Sequence, residues 1–199
     1  MCIRDSYNIA ILFKDLGKSL EAELAFRAAI QLKPDHADSY LNLGVIMSDL
    51  GKLNQAKSLL FKAVNLKPKC SFANYNLSLI LRDLGDFKQA EVYSYKAIEL
   101  NSNYIEAYIN LGLVQRKLGK LNEAKKTFLQ VIDKNPDHSN SFCNLATICR
   151  DLGQLIHSIN YYKKAISLNE KLSVAKAGLL STKALICDWS DQKLSLIHI

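Results

Sequence analysis

The sequence predicts an all-α solenoid of stacked helical hairpins, finished by a C-terminal capping helix. Three observations carry that prediction. The first is an interval of 34 residues. It separates Asn8, Asn42, Asn76, Asn110 and Asn144, and it separates Gly17, Gly51, Gly85, Gly119 and Gly153. Leu16, Leu50, Leu84, Leu118 and Leu152 keep the same step, as do Ala22, Ala56, Ala90 and Ala124, with Ser158 in the fifth place. An interval repeated without insertion marks a repeat architecture. The second observation is a helical spacing of apolar residues inside each unit. The third follows from the first two: a single hairpin leaves an apolar face that only a neighbouring hairpin can cover, so the units must stack.

The unit reads best at Ala37–Cys70. With Ala37 as position one, Tyr40, Leu43, Gly44 and Met47 fall at positions 4, 7, 8 and 11, on one face of a helix. Gly51 stands just beyond, where a left-handed C-terminal residue needs no Cβ. Ala56, Leu59, Leu60, Ala63 and Val64 make a second amphipathic helix that closes before Pro68. Small residues at positions 8 and 20 let the two backbones approach closely. In period and pattern the unit resembles the tetratricopeptide repeat, over roughly residues 3–172. That resemblance implies a right-handed superhelix whose first helices line a concave groove that holds protein or peptide.

Five repeats are expected across 7–172, the first incomplete and the others at 37–70, 71–104, 105–138 and 139–172. The proline between repeats is present at Pro34, Pro68 and Pro136 and replaced by Ser102 and Glu170, so polar residues must shape those turns. His36 and His138 sit in two of the turns, far apart and without metal-ligand partners, and read as surface-turn residues. From Ser173 the pattern fails. Gly178 replaces the asparagine, Leu180 replaces the small residue at position 8, and Lys183 occupies position 11. Residues 173–186 are therefore read as a terminal helix covering the last repeat, with Gly178 as a break in the pattern.

Cys187-Asp188-Trp189-Ser190-Asp191 follows, with the chain's single tryptophan. A run of repeats bearing asparagine at position 6, a final helix and this segment together resemble the O-linked N-acetylglucosamine transferase family, including its SPINDLY-like members. The resemblance implies that residues 187–193 begin a linker to a catalytic region further along. No catalytic residue can be carried over to this chain. Residues 1–6 and 194–199, MCIRDS and LSLIHI, resemble translated sequencing-adapter ends and are set aside from functional reasoning. The expectation is a piece of a longer protein.

Composition narrows the function classes. The net charge of +7 comes from scattered lysines, without the basic stripe and interleaved aromatics that nucleic acid requires. No apolar run approaches the ~18 residues of a membrane span. The five cysteines lack metal-ligand spacing and even pairing, which predicts reduced thiols and a cytoplasmic location. No nucleophile–base set, paired carboxylates or phosphate loop can be assembled, so neither catalysis nor a metal or cofactor is expected of these residues.

What remains is binding. The first helix of each repeat presents positions 2, 5, 6, 9, 12 and 13 away from its partner helix. Position 5 is Tyr7, Leu41, Tyr75, Ile109 and Cys143, and position 9 is Ile11, Val45, Leu79, Leu113 and Thr147. Position 12 carries Arg82, Arg116 and Arg150 beside Lys14 and Ser48, and position 13 carries Asp15, Asp49, Asp83, Lys117 and Asp151. Asn8, Asn42, Asn76, Asn110 and Asn144 form a column at position 6. An asparagine amide both donates and accepts, so it can pair with any peptide backbone regardless of side chain. Two other readings stay open: the amides tighten the stack, or duplication copied them. The transferase resemblance implies the peptide-gripping role. The candidate binding set is therefore the five asparagines with Tyr75, Leu79, Leu113, Arg82, Arg116 and Arg150. The function expected is a peptide-binding, substrate-recruiting region of a transferase-like enzyme. The alternatives are a stand-alone interaction scaffold and a repeat region serving a different enzymatic domain.

Overall fold

Two helices, a three-residue link between them and a four-residue turn to the next unit account for each 34-residue repeat. In the computed structural model, which describes residues 3–186, the helices are α1 (Ile3–Asp15), α2 (Ser19–Leu32), α3 (Ala37–Asp49), α4 (Leu53–Leu66), α5 (Ser71–Asp83) and α6 (Phe87–Leu100). They continue as α7 (Ile105–Lys117), α8 (Leu121–Lys134), α9 (Ser139–Asp151), α10 (Leu155–Leu168) and α11 (Ser173–Leu185). No strand occurs among the described residues. None of these helices is long and apolar enough to cross a membrane.

The links show why glycine recurs at position 15. Gly51 has φ of 71° and Gly85 of 82°, the left-handed region that a Cβ disfavours. At the first of these, Gly51 N–H donates to the Ser48 carbonyl at 2.8 Å and Lys52 N–H to the Met47 carbonyl at 2.8 Å. That pair of bonds satisfies carbonyls the helix end would otherwise leave unpaired. The chain then turns directly into the second helix.

Close approach between the helices of a hairpin rests on the small residues. A Cβ placed on Gly44 would lie 2.8 Å from Leu60 Cγ, and one on Gly112 would lie 2.6 Å from Phe128 Cε2. Neither position has room for a side chain. In the same hairpins Ala56 and Ala124 have no exposed surface, and neither has Ala90 in the hairpin whose position 8 is Ser78. Larger apolar residues fill the space around these contacts: Leu60, Leu77 and Leu81 in the early repeats, Phe128, Leu145 and Ile148 later, all fully buried. Each such side chain contributes about 1.5–3 kcal/mol when removed from water.

Among the described residues, those up to Ala107 form one compact unit and those from Tyr108 to Ile186 another. Within the first, α2 packs on α3 and α4 on α5, so each second helix covers the next first helix. Within the second, α8 packs on α9 and α10 on α11. One core cluster of this second unit gathers Phe142, Cys143, Ala146, Ile159, Tyr162, Ala165, Ala175 and Leu179.

Helix α11 gives Gly178, read from the sequence only as a break in the repeat pattern, a packing role: it is buried within the helix, and a Cβ there would collide with the Tyr162 ring. Here the small contact residue stands at position 6 rather than position 8, because α11 must fit around a tyrosine. Leu180 is consequently displaced to a half-buried position.

Ala56→Leu, at a site with no free volume, is expected to cost about 1–3 kcal/mol by overpacking. Lys52→Leu, in an exposed link with only a long 3.7 Å ion pair to Glu23, should cost far less. Thermal melts of the two variants check this; equal shifts would contradict the packing described.

Candidate functional site

The first-helix faces do not present the asparagines uniformly. In the first unit Asn8 is exposed. Asn42 is fully engaged. Its Nδ2 donates to the Asp38 carbonyl at 2.9 Å and to the Tyr7 hydroxyl at 3.3 Å, while its Oδ1 accepts from Lys14 Nζ at 2.8 Å. Two of these bonds tie α3 to α1, and the third stays within α3. Around them Lys67 Nζ donates to Asp38 at 3.1 Å, and the Tyr7 ring meets the His36 ring edge-on at 5.0 Å. Burial, reinforced by the Asp38 charge, pushes the Tyr7 hydroxyl up from its ordinary pKa, so it stays protonated.

Asn76 is half-buried and uses one donor, from Nδ2 to the Phe72 carbonyl at 2.8 Å. Its Oδ1 has no partner among the described residues. The surroundings are apolar: Leu79 is half-buried, Phe72 is 45% exposed, and the Tyr75 and Tyr104 rings lie 4.8 Å apart. Desolvation raises the pKa of both tyrosines. Arg82 donates from Nη2 to its neighbour Asp83 at 2.9 Å.

In the second unit Asn110 is only 2% exposed, so its amide is not open to a ligand. This departs from the expectation of a uniform column. Asn144 is the opposite case: it is half-buried, and its amide has no partner among the described residues. Next to it, Thr147 Oγ1 donates to the Cys143 carbonyl and shares a 2.9 Å bond with the Tyr162 hydroxyl. Position 5 also departs from a free face, since Leu41 and Cys143 are each 6% exposed. Cys143 is enclosed by Ala175 and Leu179 of α11 among others, and burial raises its thiol pKa. Leu113 is half-buried against the cluster of Phe128, Leu145 and Ile148. Arg116 Nε donates to Asp151 Oδ2 at 2.8 Å, and Arg150 Nη1 donates to Ser181 Oγ at 3.1 Å.

Several contributors escaped the sequence reading. His36 and His138 do lie in turns, but each ring nitrogen meets a serine three residues on, Ser39 Oγ at 2.7 Å and Ser141 Oγ at 2.8 Å. The spacing His-x-x-Ser ahead of a helix was the available signal. Tyr104 was missed because its partner Tyr75 lies 29 residues away at another repeat position. Among the described residues no group of three or more His, Cys, Asp or Glu could hold a metal ion. The chemistry on offer is hydrogen bonding, apolar contact and charge.

Family models described as tetratricopeptide repeat match residues 6–36, 25–58, 81–141 and 139–172. No curated protein matches the chain. Among solved structures, YrrB, described as a tetratricopeptide repeat protein with an unusual peptide-binding site, is 25% identical with a TM-score of 0.79 over 85% of this chain and 88% of its own. A structure of MamA is also 25% identical, with a TM-score of 0.78 over 83% and 96%. PilF of Pseudomonas aeruginosa is 16% identical with a TM-score of 0.82 over 98% and 89%, a likeness of fold alone.

The geometry separates Asn42 from Asn144. Asn42→Ala removes three bonds worth about 0.5–1.5 kcal/mol each, partly offset by the better helix propensity of alanine, and should lower stability by about 1–2 kcal/mol. Asn144→Ala removes none and should leave the melting temperature unchanged or slightly higher. Denaturant unfolding of both variants reads the difference.

Proposed function

The chain belongs to the tetratricopeptide repeat proteins, and from that premise we propose that it binds extended segments of other proteins on its first-helix faces. The observation carrying this reading is the unused hydrogen-bonding capacity of Asn76 and Asn144, each half-buried on such a face. A half-buried amide with spare donors or acceptors gains by pairing with a peptide backbone. In this reading Tyr75, Leu79 and Leu113 supply apolar contact, while Arg82, Arg116 and Arg150 supply charge. Asn8 extends the set at the exposed end. Asn42 and Asn110 serve the repeat packing. The likeness to YrrB, which carries a peptide-binding site, supports the same reading. The cysteines Cys70, Cys143 and Cys149 are free thiols, in keeping with a reducing, cytoplasmic setting.

A finer reading makes the repeats the substrate-recruiting region of an O-GlcNAc-transferase-like or SPINDLY-like enzyme. It is supported by the asparagine column and by the Cys187–Asp191 segment, which lies outside the described residues. The terminal helix and the boundaries of the five repeats belong to the same proposal. A glycosyltransferase reading frame following codon 193 in the transcript would support it, and an unrelated domain there would favour a stand-alone scaffold.

Peptides selected from a random library on the full chain provide the test. The double variant Asn76→Ala/Asn144→Ala removes about three potential backbone bonds of ~0.5–1.5 kcal/mol each, so affinity should fall at least about tenfold. The melting temperature should stay put. Full-strength binding by the double variant would refute the assignment.

A further inference from the structure

Charge along the first-helix face differs between the two units. At positions 12 and 13 the first unit has two cations, Lys14 and Arg82, against three anions, Asp15, Asp49 and Asp83. The second unit has three cations, Arg116, Lys117 and Arg150, against the single anion Asp151. That one carboxylate is shared: Arg116 Nε lies 2.8 Å from its Oδ2 and Arg150 Nε lies 4.0 Å from its Oδ1.

The two guanidiniums are far from saturated. Each carries five N–H donors in a planar fork. Arg116 commits Nε to Asp151, and Arg150 commits Nη1 to Ser181. Apart from the long 4.0 Å ion pair of Arg150 Nε with Asp151, the remaining donors make no hydrogen bond among the described residues. Both side chains are partly sheltered, at 37% and 29% exposure, which strengthens an ionic hydrogen bond relative to open water. Lys117 beside them is exposed and forms no ion pair among the described residues. Asp151 already shows which group these arginines take: a side-chain carboxylate.

We infer that Arg116 and Arg150 form a carboxylate-selecting site, so that the second unit prefers partner segments bearing aspartate or glutamate. The inference rests on the peptide-binding reading and gives its second unit a partner chemistry. Asn144 stands six residues before Arg150 on α9, about 9 Å along the helix at ~1.5 Å per residue. An extended segment covers that distance in about three residues at ~3.3 Å each. A segment gripped at its main chain by Asn144 can therefore place an acidic side chain on the arginine pair.

Fluorescence anisotropy of the full chain with labelled polyglutamate, polyglutamine and polylysine peptides tests this. Polyglutamate should bind, polyglutamine should bind more weakly, polylysine least, and added salt should weaken the first. Arg116→Gln/Arg150→Gln should lower polyglutamate affinity about tenfold or more, since each ionic hydrogen bond exceeds a neutral one. Lys67→Gln, which removes a cation from the first unit, should change it little. Asp151→Asn releases Arg116 Nε and removes the only anion of the set, so it should tighten binding severalfold, an effect that loss of folding cannot produce. Failure to bind polyglutamate, equal binding of polyglutamine, or indifference to both the arginine and Asp151 variants overturns the inference. If library-selected peptides bind through the asparagines without acidic enrichment, the carboxylate site alone is lost and the peptide-binding reading stands.

Discussion

Every hairpin in this molecule depends on two helix backbones coming close enough that position 8 holds only a small residue: Ala10, Gly44, Ser78, Gly112 or Ala146. At Gly44 and Gly112 the opposing Leu60 and Phe128 occupy the volume a Cβ would need. That contact brings the apolar faces of a hairpin together and leaves the outer side of its second helix free to cover the next first helix, as α4 covers α5 and α10 covers α11. The same contact determines which residues of a first helix face away. Positions 7, 8 and 11 turn inward, as Leu43, Gly44 and Met47 do with 1% exposure or less for the two large ones. Position 6 lies at the margin of that inward face. Small differences among its neighbours therefore decide whether its amide is occupied, buried or open.

At Asn42 the acceptor is taken by the residue one repeat earlier at position 12. Lys14 is long enough to reach forward and bond Asn42 Oδ1. Ser48, at the same place in the next repeat, is too short, and Asn76 Oδ1 accepts nothing. Arg116 is long but is drawn to Asp151, and Asn144 is left open. An ionic partner outcompetes a neutral amide for a guanidinium because charge-assisted bonds are roughly twice as strong. The column is thus one residue type in two states, bonded at Asn42 and open at Asn144.

The fold was legible in the sequence because its determinants are local and repeated. The glycine after each first helix, the small pair inside each hairpin and the 34-residue step all report the same backbone geometry. The candidate site was legible only in part. Residue identity placed Asn42 and Asn144 on the same footing, yet one makes three bonds and the other none. That difference arises from contacts between repeats, where side-chain length at position 12 and the presence of Tyr7 or Asp151 settle the outcome. Asn110, at 2% exposure, shows that burial at this margin cannot be read from position alone. Gly178 failed in the sequence for a related reason: it looked like a lost asparagine, when the bulk of Tyr162 required a residue without a side chain there.

The two open asparagines also differ from each other. Asn76 anchors its Nδ2 on the carbonyl four residues earlier, a bond that Asn42 makes as well. Such a bond fixes the side-chain rotamer and presents Oδ1 in one direction, so Asn76 offers chiefly a fixed acceptor for a backbone N–H. Asn144 has no such anchor and keeps both donor and acceptor, at the cost of ordering its side chain when a ligand arrives. Immobilising a side chain costs about 0.5–1.5 kcal/mol on binding, much of which the anchored residue has already lost on folding. Contact for contact, the fixed acceptor at Asn76 should therefore hold a backbone more firmly. In the proposed reading Asn144, able to turn its amide either way, would accept more than one approach of the chain beside the arginine pair.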